Sequence, residues 1–179
     1  MKFKETKIKG LYVIELDLIS DKRGFFARNF CRDEFLKEGI NFNIVQSNIS
    51  FNKTKGTLRG MHFQNEPKAE DKIIQCLRGA IYDVAVDLRK DSPTYGQWVG
   101  EELTEENKHM FLAPKGLAHG FQTLADNTLL QYFISEFYYP EYASGVSWDD
   151  PLLKISWPIK NPILSEKDKN WPPIRKNTI

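Results

Sequence analysis

Hydrophobic and polar residues alternate through most of the chain, which is typical of β-strands with one buried face. Short segments rich in Pro, Gly, Asp and Asn separate the alternating runs and indicate turns. The runs lie at residues 7–17, 44–51, 56–64, 97–103, 108–112, 119–124 and 128–139. Many short strands at such spacing predict an all-β sandwich or barrel.

Two local patterns add detail to this all-β prediction. Apolar runs at residues 73–77 and 80–88, joined by Arg78 and Gly79, predict a β-hairpin. One short helix is expected over residues 34–38, capped by Asp33 and ended by Gly39. The segments after residue 148 have no periodicity and are expected to wrap the barrel, so we predict one domain over residues 1–179.

The strand predicted over residues 56–64 carries one of only three histidines, His62. A period of two places His62 and Gly60 on one face and Arg59 on the other. Arg59 can therefore share a cavity with His62 only if the strand is irregular. A bulge is most easily formed at Gly60.

Composition excludes several classes of protein. A net charge of +1 does not suggest a nucleic-acid partner. Without an apolar N-terminal region or a run of about 18 apolar residues, neither a signal peptide nor a membrane span is expected. Two distant cysteines, Cys31 and Cys76, are interpreted as reduced structural thiols, which agrees with a cytoplasmic protein.

The spacing of the histidines and glycines does not match the common metal and nucleotide motifs. His62, His109 and His119 do not form the close pairs usual in metal sites, so no metal site is predicted. There is no P-loop or strand-linked GxGxxG, so a bound nucleotide is not held by a glycine-rich phosphate loop. His109, in a polar loop, is interpreted as a surface residue.

Four other side chains have both a functional and a structural interpretation. Lys72 would share a strand face with apolar residues, so it either lines a cavity or ends in solvent. Tyr132 and Tyr138 share a predicted strand face, where core packing is the alternative to a role in a pocket. His119 lies near glycines that permit close approach of a ligand, but it also suits a turn.

Several segments, taken together and in order, resemble the dTDP-4-dehydrorhamnose 3,5-epimerase family, which are sugar-nucleotide epimerases of the cupin superfamily. The resemblance covers residues 20 to 168. The segments that carry it are Asp21–Phe26, Gln46–Ser50, Leu58–Gln64, Lys72, Asp83–Arg89, Ser92–Gly96, Pro114–Phe121, Tyr132, Trp148–Pro151 and Leu164–Asp168.

The resemblance implies a cupin-like jelly-roll β-barrel with a few short peripheral helices, forming a homodimer and using no metal or organic cofactor. It implies a dTDP-sugar substrate and four catalytic residues: His62 as base, Asp168 as its partner, Tyr132 as acid on the opposite face and Lys72 at the enolate oxygen. A C4 ketone acidifies the hydrogens on C3 and C5, so this set suits epimerisation at both carbons.

The resemblance also implies substrate-binding residues. We expect contacts to the sugar, the diphosphate or the base from Arg23, Phe26, Gln46, Asn48, Arg59 and His119, and we add Tyr138 from the predicted strand face. Arginine suits diphosphate oxygens because its guanidinium forms bidentate hydrogen bonds.

Two positions depart from the family pattern. Arg28 replaces a glutamate found in many members, and Glu70-Asp71 replaces a Gln-Gly pair before the pocket lysine. Either departure can alter the nucleotide or sugar preference. The alternatives are an epimerase that inverts only C3, a non-catalytic sugar-nucleotide-binding barrel and a metal-dependent cupin oxygenase.

Overall fold

The alternating segments form thirteen β-strands in the computed structural model, which describes residues 1–174. Two short helices accompany them within these residues. The strands are β1 (Lys2–Glu5), β2 (Tyr12–Glu15), β3 (Ile19–Asp21), β4 (Gly24–Phe26), β5 (Gln46–Asn52), β6 (Leu58–Gln64), β7 (Lys72–Arg78), β8 (Ala80–Asp87), β9 (Trp98–Thr104), β10 (Met110–Ala113), β11 (Leu117–Thr123), β12 (Thr128–Ile134) and β13 (Ala143–Gly145). The helices are α1 (Arg32–Lys37) and α2 (Glu166–Lys169).

Two antiparallel sheets make the body of the fold. The first has six strands in the order β1-β2-β10-β7-β12-β5, and the second has five in the order β13-β6-β11-β8-β9. Strands β3 and β4 form a separate hairpin. The sheets pack face to face as a jelly-roll, so the predicted fold class is confirmed.

Apolar side chains fill the space between the sheets and cover both outer faces. Between the sheets, Ile74 and Leu130 of the first sheet pack with Ile81 and Phe121 of the second. A second cluster, including Phe35 of α1, covers the outside of the six-stranded sheet. A third cluster covers the outside of the five-stranded sheet with residues of the C-terminal segment. The inner cluster therefore sets the distance between the two sheets.

The predicted hairpin at Arg78 and Gly79 is wrong. Strand β7 pairs with β10 and β12 in the first sheet, whereas β8 pairs with β11 and β9 in the second. The turn therefore carries the chain from one sheet to the other. Gly79 has a φ of +80°, which glycine adopts without strain, and an added Cβ would lie 2.6 Å from the Thr128 hydroxyl oxygen.

Three smaller predictions also need correction. Helix α1 begins at Arg32 after Cys31, so Asp33 lies in its first turn and is not the cap. Strand β12 ends at Ile134, so Tyr138 is outside the strand. The Ser135 hydroxyl, just beyond the strand, hydrogen-bonds with Asp71. His109 is not a free surface residue, since it is half-buried between two glutamates.

Two further findings concern membrane-spanning helices and the cysteines. Within residues 1–174, no helix has the length and apolar character needed to cross a membrane. Both cysteines are free, and burial raises the pKa of the Cys76 thiol to about 12. The final five residues of the domain predicted over 1–179 lie outside the described part of the chain.

We expect Asp87→Asn to lower the free energy of unfolding by about 2 to 3 kcal/mol, because charged hydrogen bonds are lost in a buried place. Asp87 is fully buried and accepts hydrogen bonds from Arg89, Ser92 and Thr94. Burial alone would raise the pKa of Asp87, but these donors outweigh it and lower the pKa to about 2.

Urea unfolding as a function of pH measures this contribution. A carboxyl with a lowered folded-state pKa stabilises the protein fully above its ordinary value near ~4 and loses that effect as the pH falls toward ~2. The difference between wild type and Asp87→Asn should therefore shrink over that range. Asp91→Asn, in the same loop but exposed, is the matched control and should change stability by less than about 0.5 kcal/mol. Equal stability of Asp87→Asn and wild type at neutral pH would contradict the prediction.

Candidate active site

Two adjoining cavities open between the sheets. The larger has a volume of about 410 Å³ and the smaller about 330 Å³. Both are lined by Asn48, His62, Lys72 and Ile134, so they meet at these four residues. The fold thus gathers side chains from both sheets around one histidine and one lysine.

Strand β6 is irregular between Arg59 and His62. His62 pairs with His119 of β11 and Arg59 pairs with Phe121, so three steps along β6 match two steps along β11. This bulge lets residues three apart point into the same cavity, and both Arg59 and His62 line the smaller one. The predicted irregularity is confirmed.

Gly60 lies in the bulge and permits a close approach between β6 and β11. A Cβ at this position would lie only 2.6 Å from the Gly120 Cα, and its φ is +149°. A side chain at residue 60 would therefore push the two strands apart. Glycine is needed here for both reasons.

His62 is held by an acid that lies 106 positions later in the chain. Its Nε2 atom is 2.5 Å from Oδ1 of Asp168. The C-terminal segment is anchored beside β6, where the Leu58 N–H donates to Ile163 and the Ile163 N–H donates to Gly56. This short parallel bridge brings α2, and with it Asp168, to the cavity.

The carboxylate of Asp168 is fixed at both oxygens. While Oδ1 contacts His62, Oδ2 accepts a hydrogen bond of 2.9 Å from the Ser165 hydroxyl. Ser165 is also the N-cap of α2, and its hydroxyl accepts a hydrogen bond from the Asp168 N–H. The local sequence Ser-x-x-Asp therefore orients the acid.

The ionisation of Asp168 assigns the histidine tautomer. Burial tends to raise the pKa of Asp168, but hydrogen bonding and charge from His62, aided by Ser165, lower it below the usual value. An ionised carboxylate only accepts hydrogen bonds, so Nε2 of His62 carries the proton. In the neutral form of the ring, the other nitrogen, Nδ1, has the lone pair that a base needs.

Tyr132 faces this base from the other sheet. It lies on β12 and lines the smaller cavity together with His62. Burial, reinforced by the negative charge of Asp83, raises the pKa of the Tyr132 hydroxyl well above its ordinary value. The phenol therefore stays protonated at neutral pH and can act as an acid.

Lys72 completes the group at the junction of the cavities. Its Nζ atom lies 2.7 Å from Oε1 of Glu70 and donates to the His62 backbone carbonyl at 3.3 Å. The lysine thus lines a cavity, and the solvent-exposed alternative is wrong. A lysine ammonium at this place can stabilise negative charge that develops on a ligand oxygen.

His119 lies behind this group and is almost completely buried. Its Nε2 atom is hydrogen-bonded to Asp83, which is fully buried. Burial raises the pKa of Asp83, and His119 opposes this effect. His119 also lines the smaller cavity beside Tyr132, at a ring centroid distance of 6.3 Å.

The structure brings most, but not all, of the predicted binding residues together. Gln46, Asn48 and Tyr138 line the larger cavity, and Arg59 and His119 line the smaller one. Arg23 and Phe26 instead belong to the exposed β3–β4 hairpin and line neither cavity. Arg23 is there paired with Asp21.

Sequence reasoning missed several residues of the site. Asp83 orients His119, Ser165 holds Asp168, and Lys167 and Trp171 line the larger cavity. An acidic residue inside the apolar run 80–88 is a signal that could have revealed Asp83. The Ser-x-x-Asp pattern could have revealed Ser165, whereas no periodicity marks the two residues near the C-terminus.

Known proteins resemble this chain in sequence and fold. A family model described as dTDP-4-dehydrorhamnose 3,5-epimerase matches residues 5–176. The chain belongs to this family. A dTDP-4-dehydrorhamnose 3,5-epimerase of Methanothermobacter thermautotrophicus is 44% identical over 181 residues, which cover 99% of this chain and 97% of that relative.

Solved structures of family members also match nearly the whole fold. A dTDP-4-dehydrorhamnose 3,5-epimerase of Bacillus anthracis, with TDP and PPi bound, has a TM-score of 0.95 and 45% identity, covering 97% of this chain and 99% of that one. A 3,5-epimerase of Legionella pneumophila, in complex with dTDP-4-keto-L-rhamnose, has a TM-score of 0.92 and 38% identity, covering 99% and 96%.

Within the described residues 1–174, no group of three or more His, Cys, Asp and Glu side chains is arranged to hold a metal ion. Four ionisable groups of the cavities form two pairs, His62 with Asp168 and Lys72 with Glu70.

Proposed function

We propose that the chain epimerises a dTDP-4-keto-6-deoxyhexose at C3 and C5, with His62 as the base and Tyr132 as the acid. One observation carries this proposal. His62, with its Nε2 atom bonded to Asp168, and Tyr132 line one cavity from opposite sheets, with Lys72 beside the histidine. Inversion at carbon needs such an arrangement, because one face must lose a proton and the other must gain one.

The reaction at each carbon has two steps. Nδ1 of His62 takes the proton from C3 or C5, and the electron pair moves to the C4 oxygen to form an enolate that Lys72 stabilises by hydrogen bonding. Tyr132 then donates its proton to the opposite face of that carbon while the C4 ketone re-forms. Solvent removes the proton from the imidazolium and restores the one on the tyrosine, so no electrons are gained or lost.

Asp168 and the binding residues have supporting roles in this proposal. Asp168 keeps Nδ1 free and stabilises the imidazolium formed in the first step. Gln46, Asn48 and Tyr138 contact the substrate in the larger cavity, and Arg59 and His119 do so in the smaller one. The guanidinium of Arg59, which also donates to Asn52, offers further donors to a diphosphate.

The predicted homodimer is part of the proposal. Among residues 1–174, strand β5 pairs on one side only, and it exposes Ile49 and Phe51. The β3–β4 hairpin exposes Ile19, Phe25 and Phe26. Exposed apolar side chains in this number favour burial against a second copy. Arg23 and Phe26 line neither cavity of their own protomer. In such a dimer, the hairpin that carries them would reach a cavity of the second copy.

Sedimentation equilibrium tests the dimer. We expect twice the mass of the 20.8-kDa chain at micromolar concentration. Phe26→Asp and Ile49→Asp should favour the monomer, because each places a charge on an apolar contact, whereas Asp91→Asn should leave the mass unchanged. A wild-type monomer at these concentrations would contradict the dimer.

The predicted cytoplasmic location and the single domain over residues 1–179 are retained as proposals. The two free cysteines support a reducing compartment. Cell fractionation tests the location, and a single cooperative unfolding transition tests the domain. Recovery outside the cytoplasm would contradict the first proposal, and two separate transitions would contradict the second.

Incubation with dTDP-4-keto-6-deoxyglucose in D₂O tests the proposed activity. Each deprotonated carbon gains deuterium, so we expect label at both C3 and C5, detected by NMR. Label at C3 alone would replace the proposal with an epimerase that inverts only C3. Binding of the sugar nucleotide with no label at either carbon would leave a non-catalytic binding protein.

A further inference from the structure

A buried ion pair lies in the wall of the larger cavity. Glu70 and Lys72 are two residues apart at the start of β7, and the Glu70 Oε1 atom is 2.7 Å from the Lys72 Nζ atom. Their side chains are only 6% and 13% exposed, and both line the cavity with His62. The pair is therefore largely shielded from solvent. Ion pairs interact more strongly in such a shielded place than at a surface.

The hydrogen bonds of Lys72 leave one donor for a ligand. An ammonium group has three N–H donors. One faces Oε1 of Glu70, and a second faces the backbone carbonyl of His62 at 3.3 Å. Two fixed partners determine the direction of the third donor. Removing either partner would let the flexible lysine side chain rotate.

Glu70 has no other hydrogen bond that accounts for its position. Its second oxygen, Oε2, is buried and has no hydrogen-bond partner among the described residues. A buried carboxylate with a free oxygen is costly, so the contact with Lys72 is what compensates the charge of Glu70. By contrast, the neighbouring Asp71 is held by Ser135 and Lys115.

We infer that Glu70 is a positioning residue that fixes the ammonium of Lys72, so that its third donor points at the developing enolate oxygen. This inference rests on the proposed function, since it takes the role of Lys72 from there. Glu70 acts only through Lys72 and needs no contact with the substrate. The important property of residue 70 is therefore an acceptor oxygen at the position of Oε1.

The test compares Glu70→Ala with Glu70→Gln in the D₂O exchange assay. We expect Glu70→Ala to lower kcat about tenfold with KM within about twofold of wild type, because the lysine acts on the transition state. Glu70→Gln keeps an acceptor oxygen, so we expect its kcat within about threefold of wild type. Glu136→Ala is the control; Glu136 pairs with Lys68 nearby but lines neither cavity, and both constants should stay within about twofold.

A double-variant cycle separates this role from a general loss of structure. In a Lys72→Met background, adding Glu70→Ala should cause no further loss of exchange, because the group that it positions is gone. The inference is overturned if Glu70→Ala retains the wild-type kcat or raises KM alone. It is also overturned if Glu70→Gln loses as much activity as Glu70→Ala, or if Glu70→Ala lowers the rate as much in the Lys72→Met background as in wild type. Failure of the wild type to exchange would instead overturn the proposed function.

Discussion

Replacing His62 with alanine is expected to lower deuterium incorporation at C3 and C5 by about 10²- to 10⁴-fold, the usual contribution of a general base. The same histidine serves both carbons in the proposed reaction, so both positions should lose label together. The fold should be retained, because Asp168 keeps its hydrogen bond from Ser165 and the His62 side chain already lies at a cavity surface. NMR of the sugar in D₂O measures the rate.

His109→Ala is the matched control for this variant. His109 is also half-buried and lies between two carboxylates, Glu15 and Glu101, but it lines neither cavity. Its loss should leave the exchange rate within about twofold of wild type. Undiminished exchange in a folded His62→Ala protein, verified by circular dichroism, would remove His62 from the mechanism.

Tyr132→Phe is expected to separate proton removal from inversion. The base is intact in this variant, so the enolate still forms. The imidazolium exchanges its proton with solvent and can return a deuteron to the face from which the proton left. Substrate of unchanged configuration should therefore gain deuterium, while the rate of inversion falls by about 10²- to 10⁴-fold. NMR reports both quantities in one sample, because inverted and retained sugars have different couplings.

Tyr82→Phe is the matched control for Tyr132→Phe, because it also removes a phenol hydroxyl. Tyr82 is half-buried on β8, where it packs against Trp157 on the outer side of the five-stranded sheet, at a ring centroid distance of 6.3 Å. Inversion should proceed in that variant at nearly the wild-type rate. If Tyr132→Phe inverts the sugar normally, another group supplies the proton and the role of Tyr132 is wrong.

The strands could be predicted from the sequence, but their partners could not. Alternation depends only on which face of a strand is buried, so it located most strands of both sheets to within a few residues. It contains no information on the sheet to which a strand belongs. For that reason residues 73–88 resembled a hairpin, although Gly79 turns the chain from one sheet into the other.

The site shows the same division between local and distant information. The spacing of Arg59 and His62 showed that the two could share a cavity only if the strand were irregular near Gly60. Asp168 looked like an ordinary loop acid in its local sequence and was found only through the family resemblance, because the bridge at Ile163 that delivers it joins distant segments. The alternation of hydrophobic and polar residues also did not show that Arg23 and Phe26 lie outside the two cavities.

The apolar cluster between the sheets has a consequence for stereochemistry. The proposed base and acid lie on different sheets, so the side chains of this cluster, such as Leu130 and Phe121, fix the gap in which a sugar ring must fit. In the proposed reaction, a core substitution that changes this gap alters the reach of Tyr132 to the far side of the ring, while His62 keeps its own partner. We therefore expect the hydrophobic core to set the fraction of enolates that end in the inverted sugar.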